Sequence, residues 1–323
     1  METQTVRIPL PPIRDDDAGY KYLSKLADFI TSAPNNIYIF DFSKCSIISH
    51  NGLVVIGGLC NYLKQNEKSR SMFNGFGLKS LLYTQRKIQF SIEKISPRLM
   101  ERLQELGFWD YVQPDYGIVG SSDYIGYRQH DTVLNDSQIV DHLKDSWLTN
   151  EKLSVSESLK AEIVSSIYEI FINAYGHGLK DNHNQQSVIS CGYYEPKEKK
   201  LSLSVLDLGG GIVNSVQKHI PLLGKEAAFS WALEVGNSTR TDSAPDLPRG
   251  LGFGILKAFV MINGGVLRVC SDSYMATVNS QGIYVTKSVP GRLLGTLVSI
   301  TVNCDDKHYK FKSESDELVP NFF

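Results

Sequence analysis

Residues 201–212 read LSLSVLDLGGGI, an apolar run that ends in a carboxylate, Asp207, with Gly209, Gly210 and Gly211 directly behind it. The run predicts a strand. A carboxylate at a strand end can accept a hydrogen bond from an exocyclic base amine, and the glycines let backbone approach a ligand without Cβ interference. An ordinary glycine turn that happens to carry an Asp explains the stretch equally well in isolation. A second apolar run at 187–194 precedes it across EPKEKK (195–200), a charge run that reads as a solvated hairpin tip.

Upstream, a long helix is predicted over 155–178. Within SIYEIFINAYGHG (166–178), Glu169, Asn173 and His177 stand at i, i+4 and i+8, so they share one stripe, while Ile163, Ile167, Ile170 and Phe171 can face a core. An exposed helix face ending in a dipole-matched histidine is the competing reading. Downstream, RGLGFGILKAFV (249–260) places Gly250, Gly252 and Gly254 where a helix opens, and free N–H groups there can hold phosphates. The glycine run is similar to a dinucleotide fingerprint, but Pro245 and Pro248 occupy the place of the strand that fingerprint needs. Strands follow at 265–271, about 282–287, and 293–302.

The N-terminal half is organised differently. IYIFDF (37–42) reads as a buried strand, GLVVIGGLCNYLKQNEK (52–68) as a helix, and PRLMERLQEL (97–106) as a second helix with Pro97 in its first turn and Gly107 beyond its end. Residues 110–132 have no clean period, which places a domain boundary there; a connecting helix is expected over 136–148. A chain of 323 residues fits two cores.

Thirty-three basic against 35 acidic residues leave a net charge of −2, which supplies no field for nucleic acid or an anionic membrane. Five scattered cysteines match no zinc or redox spacing and read as buried free thiols. No segment approaches the ~20 apolar residues that span a bilayer, and the first residues lack a signal core. A soluble cytoplasmic protein is the expectation.

Taken in order, E-x-x-x-N-A-x-x-H at 169–177, D-x-G-x-G at 207–211, G-x-G-x-G at 250–254, NGGVLRVCS at 263–271 and GTLVSITV at 295–302 resemble the GHKL ATPases, across about residues 150–303. The resemblance implies a two-layer α/β sandwich of the Bergerat type that binds ATP and Mg²⁺. It gives Asn173 the role of holding Mg²⁺ against the phosphates and Glu169 that of positioning or deprotonating the attacking water. Asp207 is then the adenine reader, with Gly209 and Gly211 shaping the base pocket and Thr296 beside it. Gly250, Gly252 and Gly254 cradle phosphate, and His177 supports the pocket. The segment between Gly211 and Gly250 becomes a lid in which Arg240 can reach the γ-phosphate, although a solvated loop arginine fits as well.

Within the family, no helical hairpin bearing a phosphoacceptor histidine is evident; the surroundings of His142 (VDHLKDSW, 140–147) match that motif poorly. INAYGHG is nearest to the anti-sigma-factor kinase version. IYIFDFSKCSIISHNGLVVIGGLCNYLK (37–64) followed by LQELGFWDYV (103–112) resembles the STAS domains of anti-sigma-factor antagonists, and a generic α/β interaction domain explains the same pattern. In the STAS reading Ser46 or Ser49 is a candidate phosphoacceptor. The expected organisation is therefore α/β (α+β): a STAS-like α/β interaction domain over 1–132, a GHKL ATP-binding domain over 133–308, and a charged tail over 309–323. The expected activity is a Mg-dependent, lid-gated ATPase that switches contact with its N-terminal domain or a protein partner, with a homodimer compatible with the family. The alternatives are an anti-sigma-type serine/threonine kinase and a nucleotide-binding module without turnover.

Overall fold

The alternation of Leu201, Leu203 and Val205 with Leu206 and Leu208 separates two cores, because the first three join one buried apolar cluster and the last two another. In a strand, neighbouring side chains point to opposite faces, so this strand lies in a sheet covered on both sides. The computed structural model describes residues 3–73, 87–112, 125–130, 136–175, 188–234, 236–237, 252–278, 282 and 284–314.

The chain is a mixed α/β protein with two sheets among the described residues. Strands β1 (Thr5–Pro9), β2 (Ile37–Asp41) and β3 (Ile88–Ser91) form a parallel sheet in that order. Helices α1 (Asp17–Ser32), α2 (His50–Phe73), α3 (Pro97–Glu105) and α4 (Phe108–Val112) accompany it. Helix α1 starts where the Asp16 side chain accepts the Gly19 amide, and it buries Tyr20, Leu23, Ala27 and Ile30 at helical spacing. Helix α3 starts at a Ser96 cap with Pro97 in its first turn, as the sequence predicts.

The second sheet is antiparallel, in the order β4 (Gly126–His130), β5 (Val188–Glu195), β6 (Lys200–Asp207), β8 (Tyr284–Asn303), β7 (Val266–Val278). Strand β4 precedes residue 132, where the sequence suggests the division, yet it pairs with β5. Helices α5 (Asp136–Asp141), α6 (Glu157–Asn173), α7 (Gly211–His219), α8 (Lys225–Ala232) and α9 (Gly252–Asn263) belong to this half, and a π-type turn, His142–Trp147, follows α5. Helix α6 ends at Asn173, short of the predicted 178; residues 176–187 lie outside the described ones. The two strands expected at 282–287 and 293–302 are one strand, β8. The register jumps between the pairs Asp272–Leu293 and Tyr274–Ser288, so Pro290 sits in an irregularity where its missing N–H breaks no ladder bond.

One core lies between this sheet and α6, α7, α8 and α9. The other is shared: Leu23 and Ile30 of α1 and Leu53, Ile56 and Leu59 of α2 pack with Ile189, Cys191, Leu206, Cys270 and Leu297 of the second sheet. The glycines inside α2, which weaken a helix by about 1 kcal/mol each, permit this approach: a Cβ on Gly57 would lie 2.0 Å from the Tyr127 hydroxyl, and one on Gly58 2.7 Å from Leu206.

A buried polar network runs through that shared interface. Asp15 pairs with Arg268 at 3.0 Å and accepts hydrogen bonds from Tyr20 at 3.0 Å and Thr301 at 3.2 Å. Burial pushes the Asp15 carboxyl up, but His50, Arg268 and Tyr20 outweigh it and hold it well below the usual carboxylate range. His50 Nδ1 lies 2.6 Å from Ser204 Oγ, which in turn lies 2.5 Å from Ser299 Oγ.

The five cysteines are free and buried. Among the described residues no helix is long and apolar enough to cross a membrane. Residues 309–314, where the sequence suggests a charged tail, are docked: Tyr309 bridges to Val155 and is buried in the helix-side core.

Candidate functional site

Asp207 is the last residue of β6, and the side-chain parity of Leu201, Leu203 and Val205 carries it to the sheet face covered by the helices. Thr296 of β8 is its partner in register, and Ser271 of β7 is paired with Thr296 in turn. Three adjacent strands thus present a polar row, Asp207–Thr296–Ser271, on one face.

The row is tightly bonded. Asp207 Oδ1 accepts the Gly209 amide at 2.9 Å, and Thr296 hydrogen-bonds to the same carboxylate through its side chain and backbone. The Ser271 hydroxyl donates to the Gly295 carbonyl at 2.7 Å and accepts the Ile212 amide, in the first turn of α7, at 3.0 Å. Burial pushes the Asp207 carboxyl up to about 7, against Gly209 and Thr296, which favour its charged form.

Two glycines make room for the row. Gly211 has φ +75, and a Cβ there would lie 2.7 Å from Ser271 Oγ; Gly295 has φ +81, and a Cβ there would lie 1.9 Å from the Asp207 carbonyl. Both positions exclude any other residue on two counts, since a left-handed backbone is costly with a side chain and the space is already taken.

The structure joins Asp207, Gly209, Gly211 and Thr296 by direct contacts or sequence adjacency. Glu169 and Asn173 stand on α6, and Gly252 and Gly254 open α9; these two helices pack together on the same sheet face as the row. Asn173 is exposed at the last turn of α6, and Glu169 is half-buried and engaged with its own neighbours. His177, Arg240 and Gly250 lie outside the described residues.

Two members of the site, Ser271 and Gly295, escape sequence reading. Gly295 carries a signal, a glycine inside an apolar strand directly before Thr296, which marks a bulge or a close backbone approach. Ser271 carries none, because a serine in a strand has no pattern of its own.

Among the described residues no group of three or more His, Cys, Asp and Glu side chains is arranged to hold a metal ion. A divalent cation here would rest on ligand phosphates together with an oxygen such as that of Asn173, the pattern usual for Mg²⁺. No known family matches this chain, and no curated protein is significantly similar to it.

Proposed function

We propose that the chain is an ATP-binding regulatory protein: a GHKL-type pocket of the Bergerat kind in the C-terminal half, a STAS-like unit in the N-terminal half, and Mg-dependent ATP hydrolysis as the reaction. The observation that carries the reading is the row Asp207–Thr296–Ser271, with a carboxylate desolvated at the end of a strand and with Gly211 and Gly295 packed directly against the row, where a Cβ would collide with it.

In this reading Asp207 accepts the exocyclic amine of adenine, with Thr296 and the Gly209 amide fixing its carboxylate. Gly252 and Gly254 offer amides to phosphate at the start of α9, where the helix dipole favours anions. Asn173 would hold Mg²⁺, which supplies charge neutralisation at the phosphates. Glu169 orients the attacking water and takes its proton. The family resemblance adds Arg240, His177 and Gly250 to the phosphate side; all three lie outside the described residues.

Of the two candidate phosphoacceptors in the STAS-like unit, Ser49 is 6% exposed and hydrogen-bonded to Tyr193 of the second sheet, which closes it to a phosphate donor, whereas Ser46 is exposed and keeps transfer to that unit as the second reading.

Thermal shift of the full chain with ATP, with and without Mg²⁺, tests the pocket. Stabilisation by ATP should vanish in Asp207→Ala, and its Mg²⁺-dependent part should vanish in Asn173→Ala. A parent protein indifferent to ATP would remove the reading. Phosphate release that persists in Glu169→Ala would remove the hydrolytic role of that residue, and radiolabel recovered on protein instead of free phosphate would assign the chain to the kinases.

A further inference from the structure

The two helices assigned to the pocket are fastened at their far ends by one piece of chain. Helix α6 holds Asn173 at its last residue and starts about 25 Å away, at 1.5 Å per residue. Its Ser156 cap accepts the Leu159 amide and donates to Glu314 Oε2 at 2.8 Å, and the Ser158 hydroxyl donates to the other Glu314 oxygen. Glu314 also accepts the Phe311 amide at 2.6 Å. The segment is laid along the start of α6 by two ladder bonds, Ser156 N to the Tyr309 carbonyl at 2.8 Å and Tyr309 N to the Ser154 carbonyl at 2.9 Å.

The same segment grips α9 where that helix ends. Asn263 and Asn303 exchange bonds, Asn263 Nδ2 to the Asn303 carbonyl at 2.8 Å and Asn303 N to Asn263 Oδ1 at 2.7 Å. The Tyr309 ring meets Phe259 edge-on at 5.6 Å, and its hydroxyl is hydrogen-bonded to Asn263 and Asp305. Helix α9 therefore begins at the glycines proposed for phosphate and ends at the strap, while α6 begins at the strap and ends at Asn173.

We propose that residues 303–314 form a strap that sets the spacing of α6 and α9 from behind, with Glu314 as its releasable catch, so that strap docking and nucleotide binding are coupled. The inference rests on the nucleotide reading of the pocket. Most of the strap is held by apolar burial and backbone bonds. The catch differs: it is a half-buried carboxylate, with Lys310 nearby, that rests on two serine hydroxyls and an amide, at a helix start that favours negative charge. Loss of that charge, or a second negative charge at Ser158, would free it.

The test follows amide exchange at 156–160 and 309–314 in the full chain, beside the affinity for Mg-ATP, in the parent, Glu314→Ala and Glu314→Gln. Glu314→Ala should speed exchange in both segments and weaken Mg-ATP by about fivefold or more. Glu314→Gln, which keeps acceptor oxygen, should fall between the two. Linkage is reciprocal, so Mg-ATP should slow strap exchange in the parent by a similar factor. Should Glu314→Ala fail to fold, Ser158→Glu applies the same release by repulsion, with the same expected losses. Faster exchange with unchanged affinity would reduce the strap to an ordinary helix cap and overturn the proposal. A parent that binds no Mg-ATP would overturn the pocket reading, and the coupling with it.

Discussion

Asp207 keeps its proton up to about pH 7 because its carboxyl is desolvated, whereas the ordinary value is 3.8. The folded state therefore binds this proton more tightly than the unfolded chain does. The stability it brings is complete below pH 3.8 and is lost as pH rises through about 7. Asp207→Asn has no such loss, so it should exceed the parent in stability at pH 8 by up to roughly 4 kcal/mol and by far less at pH 4, as urea unfolding at the two values will show. Ligand binding runs the opposite way: if adenine takes the ionised carboxylate, ATP affinity at pH 6 should be about tenfold weaker than at pH 8. His142 is the converse case. It is buried, neither ring nitrogen has a partner among the described residues, and burial with the nearby cations Arg128, His130 and Lys152 holds it down to about 3. A base with a depressed folded value loses stability as pH falls from about 6.5 toward 3. His142→Leu should gain about 1–3 kcal/mol at pH 7 by removing unsatisfied nitrogens, and its acid limb should be flatter; a loss at pH 7 would mean that the imidazole is paired.

Strand β8 joins the pocket row to its neighbours, and Gly295 is the position where it can least tolerate change. Gly295→Ala adds both a left-handed strain and a collision with the Asp207 carbonyl, so it should cost more than about 2 kcal/mol and lower the melting temperature visibly. Unchanged melting would show that β6 and β8 separate more easily than their register suggests. The elements that sequence reveals best are those whose periodicity is their own: β6 from its apolar run, α6 from its polar stripe and apolar neighbours, α3 from Pro97 and Gly107. Helix α1 escapes even though it is amphipathic and capped by Asp16, and β1 and β3 are too short to rise above their polar neighbours. The continuity of β8 also escapes, since Pro290 and Gly291 read as a break and only the partner strand β7 shows how the irregularity is absorbed. Of the polar row, Asp207 and the glycines behind it were legible, because a carboxylate and glycines are spaced along the chain there. Ser271 was not, because it enters through strand pairing, which one sequence does not display.

Across the whole molecule, the expectation of two cores meets an arrangement in which one of them draws on both halves. The alternation of Leu206 and Leu208 with Asp207 predicts that something covers the second sheet face, and cannot say that α1 and α2 do so. The contact there is held by the Asp15–Arg268 pair as well as by apolar packing. Removal of one partner from a buried pair strands the other charge, so Asp15→Ala should cost about 3–5 kcal/mol. Asp15→Leu combined with Arg268→Met should cost less than either single change implies, in a double-mutant cycle read by denaturant unfolding. Because the folded Asp15 value is depressed, its contribution is present above pH 3.8 and fades as pH falls below it. The shared core also has a consequence for biosynthesis. Its members run from Leu10 to Leu297, so helices made first can close it only after β8 has left the ribosome. At 5–20 residues per second the apolar faces of α1 and α2 wait on the order of 10–50 s for their sheet, an interval in which a nascent-chain chaperone has more to protect in the first half of this chain than in the second.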